Sequence, residues 1–245
     1  MTIDRQTAFG AALAAGLLVL TSAASAGPPA PQAAYTAMSP EELADYLIFE
    51  AGGFDLNAPT QDGGTARDRM VQDRIQKVCS AIGRSGKALD RATAAKISAL
   101  AEESMVFPEG GIVLGDWKRG EKIARSGFGY RIGRDTDDHT REPPGGNCYA
   151  CHQLDPKEIA HGTVGPSLAN YGTLRGTNDA MLKHTYQILY NAHLFFPCTT
   201  MPRFGEHGTL TAEQIADVMA YLLDPASPVN QAALPTAETA QAARD

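Results

Sequence analysis

Cys148-Tyr149-Ala150-Cys151-His152 is the stretch on which the reading of this chain turns. A pair of cysteines separated by two residues, with a histidine directly after the second, is the pattern by which haem is attached covalently to protein. The thiols add across two vinyl groups of the macrocycle, and the adjoining imidazole is set beneath the iron. Bonds that converge on one small ring need a short, rigid spacing. Half of a zinc site is the competing reading. It requires two further soft ligands at similar spacing, and Cys79 and Cys198 lie far off in sequence and apart from each other. A thioredoxin-like pair needs the two cysteines but neither the histidine nor the ordered features downstream of it.

Among those features, Gly165-Pro166-Ser167-Leu168 comes first, where a backbone carbonyl can accept the other ring proton of His152 and fix its tautomer. A helix over Asp179 to Asn191 carries Met181, Leu182, Tyr186, Ile188 and Leu189. Phe195 to Pro202 reads as an extended loop, since Pro202 biases Met201 away from helix. The last helix opens at Thr211, with Ile215, Val218, Met219 and Leu222 along one stripe, and Asp224-Pro225 ends it. Met201 is the candidate for the second axial iron ligand. It is on a loop free to curl over the ring, and a thioether there raises the iron's potential. Met219 is on the packed stripe and Met181 is helical. His184 and His193 are the nitrogen alternatives, each read as a surface residue.

Upstream, Arg5 precedes an apolar run from Ala8 to Leu20, and Ala24-Ser25-Ala26 comes next as a small-residue cleavage site. Residues 1–26 therefore read as a secretory signal peptide, with a retained membrane anchor as the alternative. No later stretch has the apolar length of a membrane span. Export agrees with the attachment motif, because haem of this type is joined to protein outside the cytoplasm. Apolar residues make up 43% and charged residues 20%, a composition that supports a packed core. The net charge is −7 and no basic stripe is present, which argues against a nucleic-acid partner.

Four cysteines are present, and the attachment motif takes two. In an oxidising compartment the remaining pair, Cys79 and Cys198, is expected as a disulfide tying the N-terminal segment to the rest. The alternative is functional: Cys198 precedes Met201 by three residues and is also readable as a reactive thiol or an iron ligand.

In the N-terminal segment a Pro/Ala-rich leader (27–36) precedes a helix start at Ser39-Pro40-Glu41-Glu42, and Gly52-Gly53 stops that helix. A second helix carries Met70, Val71, Ile75 and Val78 on one face, and a third runs from Ala88 to Met105. Their apolar residues are expected to be core. Pro108 to Gly111 marks a boundary, and Asp116 to Arg125 forms a further helix in which Gly120 admits a close neighbour. A polar insertion from Asp135 to Gly146 leads into the attachment motif.

The order of these features resembles a class I c-type cytochrome. More narrowly it resembles the SoxX family, the monohaem subunits of the SoxAX cytochrome of periplasmic sulfur oxidation. Gly146-Asn147-Cys148-Tyr149-Ala150-Cys151-His152, Gly162 to Leu168 and Met201-Pro202-Arg203-Phe204-Gly205 carry the resemblance. It implies an all-α chain with a helical N-terminal extension (27–109), a cytochrome c domain (110–230) and a flexible tail (231–245). It also implies one haem c, anchored by Cys148 and Cys151 and ligated by His152 and Met201, in the periplasm. The implied partners are SoxA, the SoxYZ carrier protein and a soluble cytochrome c as electron acceptor. The implied activity belongs to the complex, which oxidatively couples thiosulfate to a SoxYZ cysteine, while this chain relays electrons and has no catalytic residue of its own. A free electron carrier for another redox enzyme, and a peroxidase-like protein with a displaceable Met201, are the other readings.

Overall fold

The computed structural model describes residues 35–131 and 136–231. The expected signal peptide, Asp135 at the start of the polar insertion, and the tail beyond Gln231 lie outside the described residues. The chain divides into two units, one ending at Phe54 and the other beginning at Asp55.

In the first unit, helix α1 (Pro40–Asp45) starts as its sequence dictates. The Ser39 hydroxyl accepts from the Glu42 amide at 3.3 Å, and the Glu42 carboxylate accepts from the Ser39 amide at 2.8 Å. The chain continues as one π turn, Tyr46–Glu50, and ends before the glycine pair. No described residue of this unit is buried, and Leu47 and Phe54 are about half exposed. Its apolar face is therefore not core, contrary to the sequence expectation.

The second unit contains α2 (Ala66–Met70), α3 (Arg74–Ser85), α4 (Arg91–Glu103), α5 (Trp117–Arg125), α6 (Tyr171–Arg175), α7 (Asp179–Tyr190) and α8 (Ala212–Leu223). No strand occurs among the described residues, only an isolated bridge between Pro59 and Thr65, so the chain is all-α as expected. The helix read through Met70, Val71, Ile75 and Val78 is broken in two. Val71 adopts extended backbone at ψ 122° and is exposed. Asp73 then caps a new helix, accepting from the Gln76 amide at 2.8 Å while Gln76 answers at 2.9 Å. The next helix likewise begins at Arg91 rather than Ala88, because Asp90 is its cap.

The main core is organised on α8, which buries Ile215, Val218, Met219 and Leu222 as expected, and also Tyr221 and Leu223. α5 crosses it so closely that a Cβ on Gly120 would lie 2.0 Å from the Asp217 carbonyl oxygen and 2.9 Å from Tyr221 Cβ. The buried Asp217 carboxylate closes this crossing. It accepts from the Asp116 amide at 2.7 Å and from Arg119 at 2.7 and 2.8 Å. A second, smaller core joins Ile75, Ile97 and Ala101 of α3 and α4 to Leu194 and Cys198. Burying Ile97 completely contributes about 2 kcal/mol. Beyond α8, Val229 is buried and Asn230 donates to the Leu222 and Asp224 carbonyls.

Candidate haem site

The attachment motif is a single 3₁₀ turn, Cys148–Ala150, entered through Asn147 in a left-handed conformation (φ 47°). Asn147 tolerates that conformation better than most residues. The turn is anchored backward on α5: the Gly146 amide donates to the Ile123 carbonyl at 2.8 Å and the Asn147 amide to Ser126 at 2.9 Å. The amides of Cys151 and His152 both donate to the Cys148 carbonyl, at 3.1 and 2.8 Å, which sets the two cysteines and the histidine in one compact loop. Tyr149 points into the core, where its hydroxyl meets that of Tyr221 at 2.7 Å. Arg125 lies over the Tyr149 ring at 4.6 Å and pairs with Glu121 and Glu158.

Forward of the motif, three backbone bonds of 2.8 Å lay residues 162–168 alongside it: Gly162 to Tyr149, Gly165 to Cys151 and Leu168 to Gln153. That ladder places the Pro166 carbonyl over His152, whose Nδ1 donates to it at 2.8 Å, as the sequence suggests for the Gly-Pro stretch. With Nδ1 held, Nε2 is the nitrogen left for a metal. Gly165 packs flat on the ring; a Cβ there would lie 2.1 Å from His152 Cε1. A Cβ on Gly146 would lie 3.1 Å from Cys148 Sγ and 3.8 Å from the Phe204 ring. The motif is thus lined by glycines where any side chain would intrude.

Met201 and Cys148 both border the main core, half-buried, and Phe204, just past Met201, reaches the glycine beside Cys148. The Met201 loop and the attachment turn thus border the same core. Phe195 to Pro202 is not extended, however. It is a run of turns: the Thr199 amide donates to Phe196, the Met201 amide to the Thr199 hydroxyl, and Cys198 is left-handed at φ 60°.

Of the alternative ligands, Met219 is fully buried on α8 and Met181 is near the Tyr171 hydroxyl. His184 lies edge-on to Phe195 with ring centroids 4.5 Å apart. His193 is buried rather than superficial, and its Nδ1 accepts from the Cys198 amide at 3.0 Å. Its place after α7 in a 3₁₀ turn turns it inward, where sequence periodicity offers no guide.

The donor set fits covalent haem better than its competitors. Cys79 and Cys198 form a disulfide, with Cα atoms 5.3 Å apart, so neither can complete a zinc site with Cys148 and Cys151. A thioredoxin-like pair needs a thiol whose pKa is depressed. Burial instead pushes the Cys148 thiol up to about 12. Cys148, Cys151 and His152 would hold the group on one face, the glycines let residues 162–168 pack closely on the motif, and Nε2 is oriented by the Nδ1 bond to Pro166.

Three functional contacts were not foreseen from the sequence. Asp217 braces α5 against α8, Arg203 is buried between Asp73 and Glu206, and His193 fixes the Cys198 backbone. Asp217, set among the apolar residues of α8, is a signal that was there to be read; Arg203 and Asp73 are 130 residues apart, and the His193 contact depends on the turns between it and Cys198.

A cytochrome c family profile matches residues 145–224. An uncharacterized lipoprotein of Aquifex aeolicus (strain VF5) is 42% identical over 162 residues, which cover 66% of this chain and 74% of that protein. Among solved structures, SoxXA from P. pantotrophus aligns at 25% identity over 50% of this chain and 90% of that one, with a TM-score of 0.34, too low for shape to decide fold or role. The attachment turn, its oriented histidine and the match over residues 145–224 agree: those residues are a cytochrome c domain, and the chain belongs to the same family as the Aquifex protein.

Proposed function

We propose that this chain is a periplasmic monohaem electron carrier that works as the SoxX-like subunit of a SoxAX complex. The observation that carries the haem assignment is the His152 Nδ1 to Pro166 bond on a Cys148–Cys151 turn stripped of intruding side chains. The narrower assignment rests on residues 146–152, 162–168 and 201–205, and each of these stretches has a structural reason in this fold. In the last of them, Arg203 and Phe204 are buried, and a Cβ on Gly205 would lie 2.2 Å from the Tyr190 ring. Residues 110–230 are the cytochrome domain in this reading, and residues 27–109 an extension added to it. The leader and the lipoprotein description of the Aquifex relative both support an extracytoplasmic location.

Haem c, bound through Cys148 and Cys151, supplies one-electron chemistry at its iron. His152 would ligate the iron through Nε2, its donor strength raised by the Pro166 carbonyl, and Met201 would supply the second ligand. A ligand pair that stays in place in both oxidation states suits a relay and leaves no position for substrate. Electrons released when SoxA couples thiosulfate to the SoxYZ carrier would pass through this chain, one at a time, to a soluble cytochrome c. The thiosulfotransferase activity belongs to the complex.

The test is affinity purification of the protein from thiosulfate-grown source cells, with haem-stained denaturing gels of the eluate. A second haem-bearing band in stoichiometric amount is expected. Elution alone, with one haem, would instead assign a free electron carrier for another redox enzyme.

A further inference from the structure

We propose that α3 is a brace for the Met201 loop, tying it on both sides of Met201 and thereby holding that thioether on the iron. The proposal rests on the reading of Met201 as an axial ligand. It gives the N-terminal extension a task, since α3 lies outside the cytochrome c match at residues 145–224.

The two ties are independent in chemistry. Before Met201, Cys79 on α3 is bonded to Cys198. After Met201, the Arg203 guanidinium pairs with Asp73, the cap of α3, at 2.5 Å, and with Glu206 at 3.0 Å. Arg203 is only 5% exposed, so its charge has little solvent to turn to if the pair is broken. Asp73 serves twice: one carboxylate oxygen caps α3 at the Gln76 amide and the other takes Arg203. The start of the helix and the position of the loop are therefore set by one side chain.

Packing holds Met201 on its core side but is incomplete on the side facing α3. Between the ties a cleft of about 340 Å³ is lined by Gln72, Gln76 and Ser80 on one side and by Thr199, Met201 and Pro202 on the other. Side chains from α3 do not fill the space against Met201, so dispersion contacts there cannot pin it. Within the loop, the Met201 amide has a single bond of 3.2 Å to Thr199. Cys198 is held left-handed, a conformation unusual for a residue with a side chain, by its disulfide and by His193. With a cleft open on its α3 side, the loop gains room to shift toward that side when the ties are cut. Cys79, Cys198, Asp73 and Arg203 are thus positioning residues for Met201, not ligands.

The experiment uses the oxidised holoprotein and two readouts: the far-red absorption band of methionine on ferric iron, and the binding of imidazole as a competing ligand. Four proteins are compared: wild type, Met201→Ala, the double variant Cys79→Ser/Cys198→Ser, and Asp73→Asn. Asparagine still caps a helix, so the last removes the ion pair while leaving α3 intact. Wild type is expected to show the band and Met201→Ala to lack it. The double cysteine variant should keep its haem on a denaturing gel, show a weakened band and bind imidazole about tenfold tighter or faster, as the population with Met201 displaced rises. Asp73→Asn should move both readouts in the same direction by a smaller factor. An intact band and unchanged imidazole binding in both tie variants would overturn the brace while leaving Met201 as ligand. Absence of the band from wild type itself would overturn the ligand reading and the brace with it.

Discussion

Replacing Gly120 with alanine is expected to destabilise the protein even though alanine is the better helix former. In an exposed helix interior the exchange gains about 1 kcal/mol. At Gly120 the new methyl would lie 2.0 Å from the Asp217 carbonyl oxygen, 2.6 Å from its carbon and 2.9 Å from Tyr221 Cβ. These are atoms of the neighbouring helix's backbone or rooted in it, so no rotamer change relieves the clash. Restoring ordinary contact requires α8 to retreat by about 1.4 Å, a gap that forfeits half or more of the dispersion energy across the facing surfaces. The same retreat stretches the bonds from Asp116 and Arg119 to the buried Asp217 carboxylate. Overpacking against such a rigid surface costs about 3–5 kcal/mol, the upper end of its range or beyond. The net loss is then about 2–4 kcal/mol, or a fall in Tm of about 5–15 °C for a chain of this size.

Gly83 supplies the internal control. It lies in α3, exposed, with nothing within 4 Å of where its Cβ would be. Gly83→Ala should raise stability by about 0.5–1 kcal/mol. Thermal unfolding of the three holoproteins, tracked by far-ultraviolet circular dichroism, reads both effects. A Gly120→Ala variant as stable as wild type would refute the close crossing of α5 and α8, and with it the placement of the attachment turn that hangs from Ile123 and Ser126.

Three further outcomes are expected. Gly165→Ala, whose methyl would lie 2.1 Å from the His152 ring, should push that ring off the Pro166 carbonyl; haem-stained yield should fall, and the potential of the recovered protein should rise, because an imidazole without this acceptor is a weaker donor to ferric iron. Loss of the Cys79–Cys198 bond, which spans 119 residues, should cost about 2–5 kcal/mol by denaturant titration of the double serine variant. Burial lowers the pKa of His193 and of His207, aided in each by Arg203, so the unfolded chain binds protons first as pH falls; stability present above the ordinary histidine value near 6.5 should be lost below it, and His193→Gln should flatten that part of a Tm-against-pH curve.

What the sequence reveals here depends on whether a feature is local. Ser39-Pro40-x-Glu42 and Thr211 mark their helices because a cap needs partners only three residues away. The attachment turn and the Pro166 acceptor are legible for the same reason, since both depend on short spacing. The break between α2 and α3 is just as local, an Asp73 to Gln76 box. It is masked by an apolar face drawn through Val71, a residue that is exposed in the fold. The disulfide is reached by counting cysteines rather than by any spacing. Arg203 with Asp73, and Arg119 with Asp217, could not be paired this way: 130 and 98 residues separate the partners, and even Asp217, out of place in an apolar helix, does not name the residue it meets.

That division between local and distant also separates the two sides of the site. His152 is held by contacts confined to residues 146–168 and the end of α5, all nearby in sequence. The segments flanking Met201 are tied to α3, more than a hundred residues upstream, through the Cys79–Cys198 bond and the Asp73–Arg203 pair. A perturbation in the N-terminal segment should therefore act on the Met201 side and leave the histidine side in place. On the proposed ligation, such a protein would keep its haem attached while Met201 loosens. This asymmetry follows from where the restraints originate, and it makes the extension the part of the chain through which ligation is open to change without loss of the cofactor.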